Sequence, residues 1–126
     1  MASTINSLRV LSDPTRLRLM LLLVEEELTV AEVQEILGMA QSRISASLGQ
    51  LKREGLAADR RVGKNIFYSA KEGGEGIVGG ILKSARTDLR EAPRDLAALA
   101  LTMRKRKDRA AEYFNKLAGR FGRVYV

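Results

Sequence analysis

The sequence contains no cysteine, no histidine and no tryptophan among its 126 residues. Without cysteine there is no disulfide framework, thiolate metal site, redox switch or cysteine nucleophile. Without histidine the commonest metal ligand and general base is missing as well, which excludes a Ser-His-Asp triad. A zinc or copper site would have to use carboxylates alone. We therefore expect no metal, no cofactor and no enzymatic activity from this chain.

Long apolar runs are also missing. The longest, residues 19–24 (LMLLLV), is far shorter than the ~20 residues that span a bilayer. The N-terminus lacks the basic-then-apolar pattern of a signal peptide. We therefore predict a cytoplasmic protein with no membrane partner, and its length suits one compact domain.

Positive charge is plentiful and unevenly placed. Lysine and arginine number 22 against 15 aspartate and glutamate, a formal net charge of +7. Residues 1–39 carry three basic and six acidic side chains, whereas residues 40–66 carry six basic and two acidic ones. Such a local concentration of basic residues indicates an acidic macromolecular partner, and double-stranded DNA is the first to consider.

Two helices are predicted in the N-terminal segment. Residues 3–12 place apolar side chains on one face at helical spacing. Asp13-Pro14 then restarts the chain, because aspartate caps a first turn and proline suits the first helical position. The second helix runs to about Glu26 and is apolar nearly all round, which is typical of a central, enclosed helix.

Two further short helices form a predicted helix-turn-helix. Thr29 and Glu32 make a capping box that opens the first of them, and Gly38 can end it in a left-handed conformation. The next helix extends from Gln41 to Glu54. Because only three or four residues separate the two, they fit a helix-turn-helix.

The remaining sequence predicts one hairpin and two helices. Residues 56–62 and 65–70 are strand-like and flank Gly63-Lys64, which gives a hairpin with a basic tip. The glycine-rich residues 71–80 predict a turn into a helix that ends near residue 91. Pro93 breaks the chain, and a long helix follows over residues 94–118. The fold class is mainly α with a small β-hairpin.

Residues 74–79 (GEGIVG) spell the G-x-G-x-x-G pattern of dinucleotide-binding proteins, and Asp95 follows about 20 residues later. The context does not fit that reading. The preceding strand is the second strand of a hairpin, and the following helix leads into another helix, not a parallel strand. We expect a flexible turn here and no bound dinucleotide.

The helix from Gln41 to Glu54 is the most informative segment for function. At about 100° per residue, Ile44, Leu48 and Leu51 share the face toward the core. The opposite face is small and polar, and such a face can enter the ~12 Å major groove and bond base edges and phosphates. An ordinary amphipathic surface helix would look alike, but the basic hairpin beside it favours groove insertion. The residues predicted to contact DNA are Gln41, Ser42, Arg43, Ser45, Ala46 and Gln50.

Basic side chains on the hairpin are the second predicted element of a DNA interface. Arg60, Arg61 and Lys64 suit phosphates or the minor groove, where affinity comes from counterion release. Charged hairpin tips also serve solubility alone. The same two interpretations apply to the basic run at residues 104–109 (RKRKDR), which fits either a solvated helix face or a DNA contact.

Several of these segments together resemble a known family. They are LSDPTRLRL (residues 11–19), LTVAEV (28–33), QSRIS (41–45), EGL (54–56) and RRVG (60–63) with Tyr68. In this order and spacing they closely resemble the ArsR (arsenic-repressor) family of winged-helix regulators, over roughly residues 5–70. The resemblance implies a homodimeric bacterial repressor with residues 41–54 as recognition helix and 56–70 as wing. It also implies pairing of subunits through residues 3–12 and parts of 77–118.

One departure from that family affects the predicted signal. Its best-known members sense metals through cysteine and histidine clusters, and this chain has neither residue. We therefore expect a non-metal effector, of unknown identity, or no small-molecule signal on this domain.

A second resemblance concerns residues 109–121 (RAAEYFNKLAGRF). They look like the connector that leads, in some fused regulators, from an ArsR-type domain into an S-adenosylmethionine-dependent methyltransferase domain; the alternative is a terminal dimerisation helix. We divide the chain into a winged helix-turn-helix DNA-binding domain, residues 1–92, and a long C-terminal helix and tail, residues 93–126. The predicted function is a sequence-specific repressor that binds a pseudo-palindromic operator as a homodimer. The alternative is the regulatory, dimerising N-terminal portion of such a methyltransferase.

Overall fold

The computed structural model describes residues 3–71 and 75–125, with side chains described as far as residue 120. The fold is mainly helical with one antiparallel hairpin, as predicted, and is a winged helix-turn-helix with a long C-terminal helix. The elements in chain order are α1 (Thr4–Leu11), α2 (Pro14–Leu23), α3 (Val30–Leu37), α4 (Gln41–Arg53), β1 (Ala57–Val62), β2 (Asn65–Ala70), α5 (Gly76–Asp88) and α6 (Ala92–Tyr125).

Helix α2 is the centre of the hydrophobic core. It packs against α1, α4, α5, α6 and β2, and residues 19–23 are all buried. This enclosure explains why α2 is apolar on nearly every face. The helix ends at Leu23, before the predicted Glu26, and the N–H groups of Glu25 and Glu26 both donate to the carbonyl of Leu22 in the turn that follows.

The predicted caps of the helix-turn-helix region are confirmed. Asp13 accepts a hydrogen bond from the N–H of Arg16 at 3.0 Å and opens α2. The capping box of α3 is complete, since the Thr29 N–H donates to Glu32 at 3.0 Å and Thr29 Oγ1 accepts from the Glu32 N–H at 3.2 Å. Gly38 ends α3 with φ at +65°, a conformation that glycine adopts without steric cost.

The predicted hairpin is confirmed as well. β1 and β2 pair in register from Ala57 with Ala70 to Val62 with Asn65, which leaves Gly63-Lys64 as the turn. A further contact was not predicted from the sequence: Leu28, just before α3, exchanges two backbone hydrogen bonds with Tyr68 of β2, at 2.9 and 2.8 Å. The base of the wing is therefore joined to the start of the helix-turn-helix.

The prediction of a turn over residues 71–80 is wrong for residues 76–80, which form the first turns of α5. Val78, Leu82 and Ala85 are buried along one face of this helix, and this packing overrides the low helix propensity of Gly79 and Gly80. Gly74 of the G-x-G-x-x-G pattern lies outside the described residues.

The predicted break between the last two helices is present at residues 89–91, but α6 already begins at Ala92, so Pro93 lies in its first turn. Proline is tolerated there because the first N–H groups of a helix have no intrahelical acceptor. The first turns of α6 bury Ala92, Asp95, Leu99 and Thr102 against the core. From residue 107 to residue 120 every side chain except Leu117 is exposed. The division of the chain at residue 92 stays a prediction.

None of the helices in the two described ranges is both long and apolar enough to cross a bilayer.

Candidate nucleic-acid interface

Helix α4 buries the apolar face that its sequence predicts and exposes the opposite, polar face. Ile44, Leu48 and Leu51 are each fully buried, so the helix is anchored in the core along one side. The opposite side points into solvent, because helical side chains 100° apart per residue cannot all face the core. The predicted contact residues Gln41, Ser42, Arg43, Ser45 and Ala46 are exposed, and Gln50 is half-buried.

Several polar side chains on α4 already have partners within the chain. Arg43 Nη2 donates to Oγ1 of the buried Thr15 at 2.8 Å, which links α4 to the first turn of α2. Arg53 Nη2 donates to Gln50 Oε1 at 2.8 Å. Neither contact was anticipated from the sequence. The bond to Thr15 uses one of the five N–H donors of the Arg43 guanidinium and leaves the others for a base edge.

The hairpin separates the two arginines that the sequence places side by side. Successive side chains of a strand point to opposite faces. Arg61 shares its face with Asp59, whose carboxylate accepts a hydrogen bond from Lys52 of α4 at 2.9 Å. Arg60 lies on the other face, opposite Phe67 in the strand register. The structure therefore brings Arg61 to the α4 side of the hairpin and places Arg60 on the far side.

Arg60 is held by a carboxylate on that far side. Its Nε and Nη2 each donate to Glu27 at 2.7 Å, and these hydrogen bonds keep the pKa of Glu27 below its ordinary range. Within the described ranges, Arg61 and Lys64 have no ion pair, and both are exposed. Of the three predicted wing cations, Arg61 and Lys64 are thus the two available to an outside phosphate.

A second arginine reaches the same side of the hairpin from α6. Arg106 Nε and Nη2 donate to the two carboxylate oxygens of Glu32 at 3.0 and 2.5 Å, and Nη2 also donates to the Glu27 carbonyl at 3.1 Å. Both guanidinium groups lie over the Phe67 ring, with Arg106 Cζ at 5.5 Å and Arg60 Cζ at 5.7 Å from its centroid. These distances are within the ~6 Å range of cation–π attraction. We call Glu27, Glu32, Arg60, Phe67 and Arg106 the wing-base cluster.

The wing-base cluster lowers the pKa of Glu32. Burial opposes its charge, but hydrogen bonds from Arg106 and Thr29 outweigh that effect, so the pKa of Glu32 lies below its ordinary value of 4.5. A carboxyl whose folded pKa is lowered contributes stability that is complete above the pKa of the unfolded chain and is lost as the pH falls through the folded pKa.

We expect Glu32→Gln to flatten the acid side of the stability profile. Glutamine still caps the α3 N-terminus but carries no charge for Arg106. The thermal midpoint of the wild type should therefore fall more steeply than that of Glu32→Gln between about pH 6 and about pH 3. Glu35→Gln, which removes the exposed partner of Lys105, is the matched control and should keep the wild-type slope. Equal slopes in wild type and Glu32→Gln would contradict the assignment.

Two side chains of the basic run at residues 104–109 are thus already paired with glutamates of the same chain. Lys105 pairs with Glu35 at 3.0 Å, and Arg106 binds Glu32. For these glutamates the sequence predicted only the capping role of Glu32. Nothing in the sequence pairs groups that are 70 or more residues apart, so these contacts were missed.

Asp95 has a structural partner in place of the dinucleotide role considered from the sequence. It is buried, and its two carboxylate oxygens accept hydrogen bonds from Arg18 Nε and Nη2 at 2.7 and 2.9 Å. The bond to Asp95 raises the pKa of Arg18 above its ordinary value.

Across residues 3–71 and 75–125, no group of three or more histidine, cysteine, aspartate or glutamate side chains is placed to hold a metal ion.

Comparison with known proteins identifies relatives of this site. Residues 13–59, which span α2 to the start of β1, match the family described as "Bacterial regulatory protein, arsR family". The "Biofilm growth-associated repressor" of Xylella fastidiosa is 42% identical over 67 residues, which cover 53% of this chain and 59% of that protein. The chain therefore spans less than two thirds of the length of this curated relative.

Solved structures share the fold. The transcriptional repressor BigR from Xylella fastidiosa superposes with a TM-score of 0.56 and 34% identity, covering 68% of this chain and 81% of that one. A homodimeric winged helix-turn-helix DNA-binding domain from Mycobacterium bovis, described as a possible ArsR-family regulator, superposes with a TM-score of 0.55 and 25% identity. The superposition covers 69% of this chain and 78% of the Mycobacterium bovis domain.

Proposed function

Because the chain belongs to the arsR family of bacterial regulatory proteins, we propose that it is a transcriptional repressor that binds double-stranded DNA as a homodimer. The observation that carries the proposal is the geometry of α4. Its buried face is fixed by Ile44, Leu48 and Leu51, and its small, polar face is free to enter a major groove beside a basic wing.

On DNA, two recognition helices related by two-fold symmetry would enter successive major grooves ~34 Å apart on a pseudo-palindromic operator. Ser42, Arg43 and Ser45 would contact base edges, and Gln41 and Gln50 bases or phosphates. Ala46 lets the helix approach the groove floor closely. Arg61 and Lys64 would bind the flanking phosphates, with Arg60 able to join them only by leaving Glu27.

The family resemblance implies a dimer through residues 3–12 and parts of 77–118, and within these ranges we propose α1 and α5. Ile5 and Leu8 of α1 and Ile77 of α5 are large apolar side chains that are exposed in the single chain. An open apolar groove of about 550 Å³ lies between α2 and α5, lined by Leu17 and Ile81 among others. Pairing of two chains through these helices would remove this apolar surface from water.

The direct test is binding of the purified chain to a labelled fragment from upstream of its own gene, across a salt series and against scrambled competitor. A repressor should bind tightly, resist the competitor and show a steep salt slope. The mass of the complex should correspond to two chains per operator. Weak binding that does not distinguish sequences would contradict the proposal.

Two substitutions should separate base reading from phosphate binding. Arg43→Ala is expected to cost ~1–3 kcal/mol on the operator and to relax sequence preference, whereas Lys64→Ala should weaken all sequences alike and lower the salt slope by about one. Binding titrations on operator and scrambled duplexes at several salt concentrations measure both effects. If Arg43→Ala weakens every sequence equally, Arg43 holds α2 or a phosphate and does not read bases.

Because the sequence has no cysteine or histidine, we propose that any signal it senses is not a metal held by such ligands. The methyltransferase alternative rests on the resemblance of residues 109–121 and stays a prediction, because none of the relatives above bears on it.

A further inference from the structure

We propose that Arg106 of α6 is a positioning residue for the wing. It holds the hairpin against the start of α3 and thereby sets where Arg61 and Lys64 stand relative to α4. This inference rests on the proposed DNA-binding function and adds to it, because it gives α6 control over a surface that α6 itself does not form.

The contacts of Arg106 join three elements. Its guanidinium binds Glu32 in the first turn of α3 and the carbonyl of Glu27, and it lies over the ring of Phe67 in β2. The planar fork of arginine matches a carboxylate with two parallel bonds, which fixes orientation as well as distance. One side chain therefore orients α6, α3 and the hairpin relative to each other.

The neighbouring pair shows what an ordinary surface contact looks like here. Lys105 and Glu35 are connected by a single bond at 3.0 Å, with side chains 51% and 57% exposed. Arg106 and Glu32 are 34% and 14% exposed. Because exposed pairs contribute little, Lys105 provides a matched control. It carries the same charge one residue away on the same helix, and its hydrogen bond goes to Glu35 of α3.

The wing tip is sensitive to the orientation of Phe67. Lys64 is three residues from Phe67, which is ~10 Å along a strand, and every residue from Arg60 to Ile66 is exposed. A small rotation of β2 at Phe67 is therefore amplified at the tip. Loss of the Arg106 contacts should increase wing motion, and this would weaken the phosphate contacts that need a defined position.

Amide hydrogen exchange in the free protein tests this directly. The reporters are the N–H groups of Leu28 and Tyr68, which bond each other's carbonyls at the wing base. We expect Arg106→Ala to speed their exchange about tenfold while the amides of α2 stay unchanged. DNA affinity should fall about five- to tenfold, since part of the binding energy is then used to order the wing. Lys105→Ala should change each quantity less than about twofold.

The outcomes are separable. Equal effects of Arg106→Ala and Lys105→Ala on reporter exchange would overturn the positioning role, because loss of charge alone would then account for them. If Arg106→Ala does not fold, Arg106→Lys keeps the charge without the fork, and reporter exchange faster than in Lys105→Ala supports the role, whereas equal exchange overturns it. Failure of the wild-type chain to bind DNA would overturn the proposed function, while the exchange comparison would still decide whether Arg106 positions the wing.

Discussion

Replacing Arg18 by leucine is expected to lower the free energy of unfolding by about 3–5 kcal/mol, because it leaves the carboxylate of Asp95 buried without its counter-charge. The side chains of Arg18 and Asp95 are only 10% and 3% exposed. Their paired hydrogen bonds are 2.7 and 2.9 Å long, and they connect the central helix α2 to the first turn of α6. Urea unfolding followed by circular dichroism measures the loss.

Two controls identify the cause of that loss. Arg86→Leu removes the arginine of the Arg86–Glu25 pair, in which both side chains are 48% exposed, and should cost less than about 1 kcal/mol. The double replacement Arg18→Leu with Asp95→Leu removes both charges and should recover much of the stability of the wild type. A double variant as unstable as Arg18→Leu alone would show that the unpaired carboxylate is not the cause.

The substitution Ala46→Glu is expected to reduce operator affinity at least about 100-fold, which corresponds to ~2.7 kcal/mol. Ala46 lies on the exposed face of α4, and a glutamate there would bring both bulk and negative charge against the DNA. A like charge placed against its partner costs several kcal/mol. Competition binding with a labelled operator fragment measures the loss.

The matched control is Ala111→Glu, which makes the same change at an exposed position on α6. It should keep affinity within about threefold, because only a weak long-range repulsion remains. Both variants should unfold at the wild-type urea concentration, since exposed alanines in helices contribute little packing. If Ala46→Glu binds the operator as tightly as Ala111→Glu, α4 does not enter the groove and the proposed interface is wrong.

Much of the fold could be predicted because its signals are local. The cap residue Asp13, the capping box of Thr29 and Glu32, and the glycines at positions 38 and 63 each act within a few residues of chain. So does the buried stripe of α4, whose residues Ile44, Leu48 and Leu51 recur at helical spacing. The errors in the predicted secondary structure arose where tertiary packing overrides a local signal. In α5, for example, the burial of one face stabilises a helix in a glycine-rich segment.

The candidate interface also has one part that the sequence predicts and one part that depends on tertiary packing. The exposed face of α4 follows from helical phase, so the exposure of Gln41, Ser42, Arg43, Ser45 and Ala46 was predictable. The pairing of Arg60, and not Arg61, with Glu27 depends on which side of the hairpin meets α3 and α6. Strand alternation predicts that two neighbours face opposite ways, but not which of them meets Glu27.

The sequence by itself determined the helix-turn-helix, the hairpin with its turn, the family and the lack of any cysteine or histidine chemistry. The tertiary structure alone decided the partners of the charged side chains: Arg18 with Asp95, 77 residues apart, and Arg106 with Glu32, 74 residues apart. The physical reason is range. Caps, turns and periodicity are set by neighbouring residues, whereas a charge finds a distant partner only after the core has brought the two segments together.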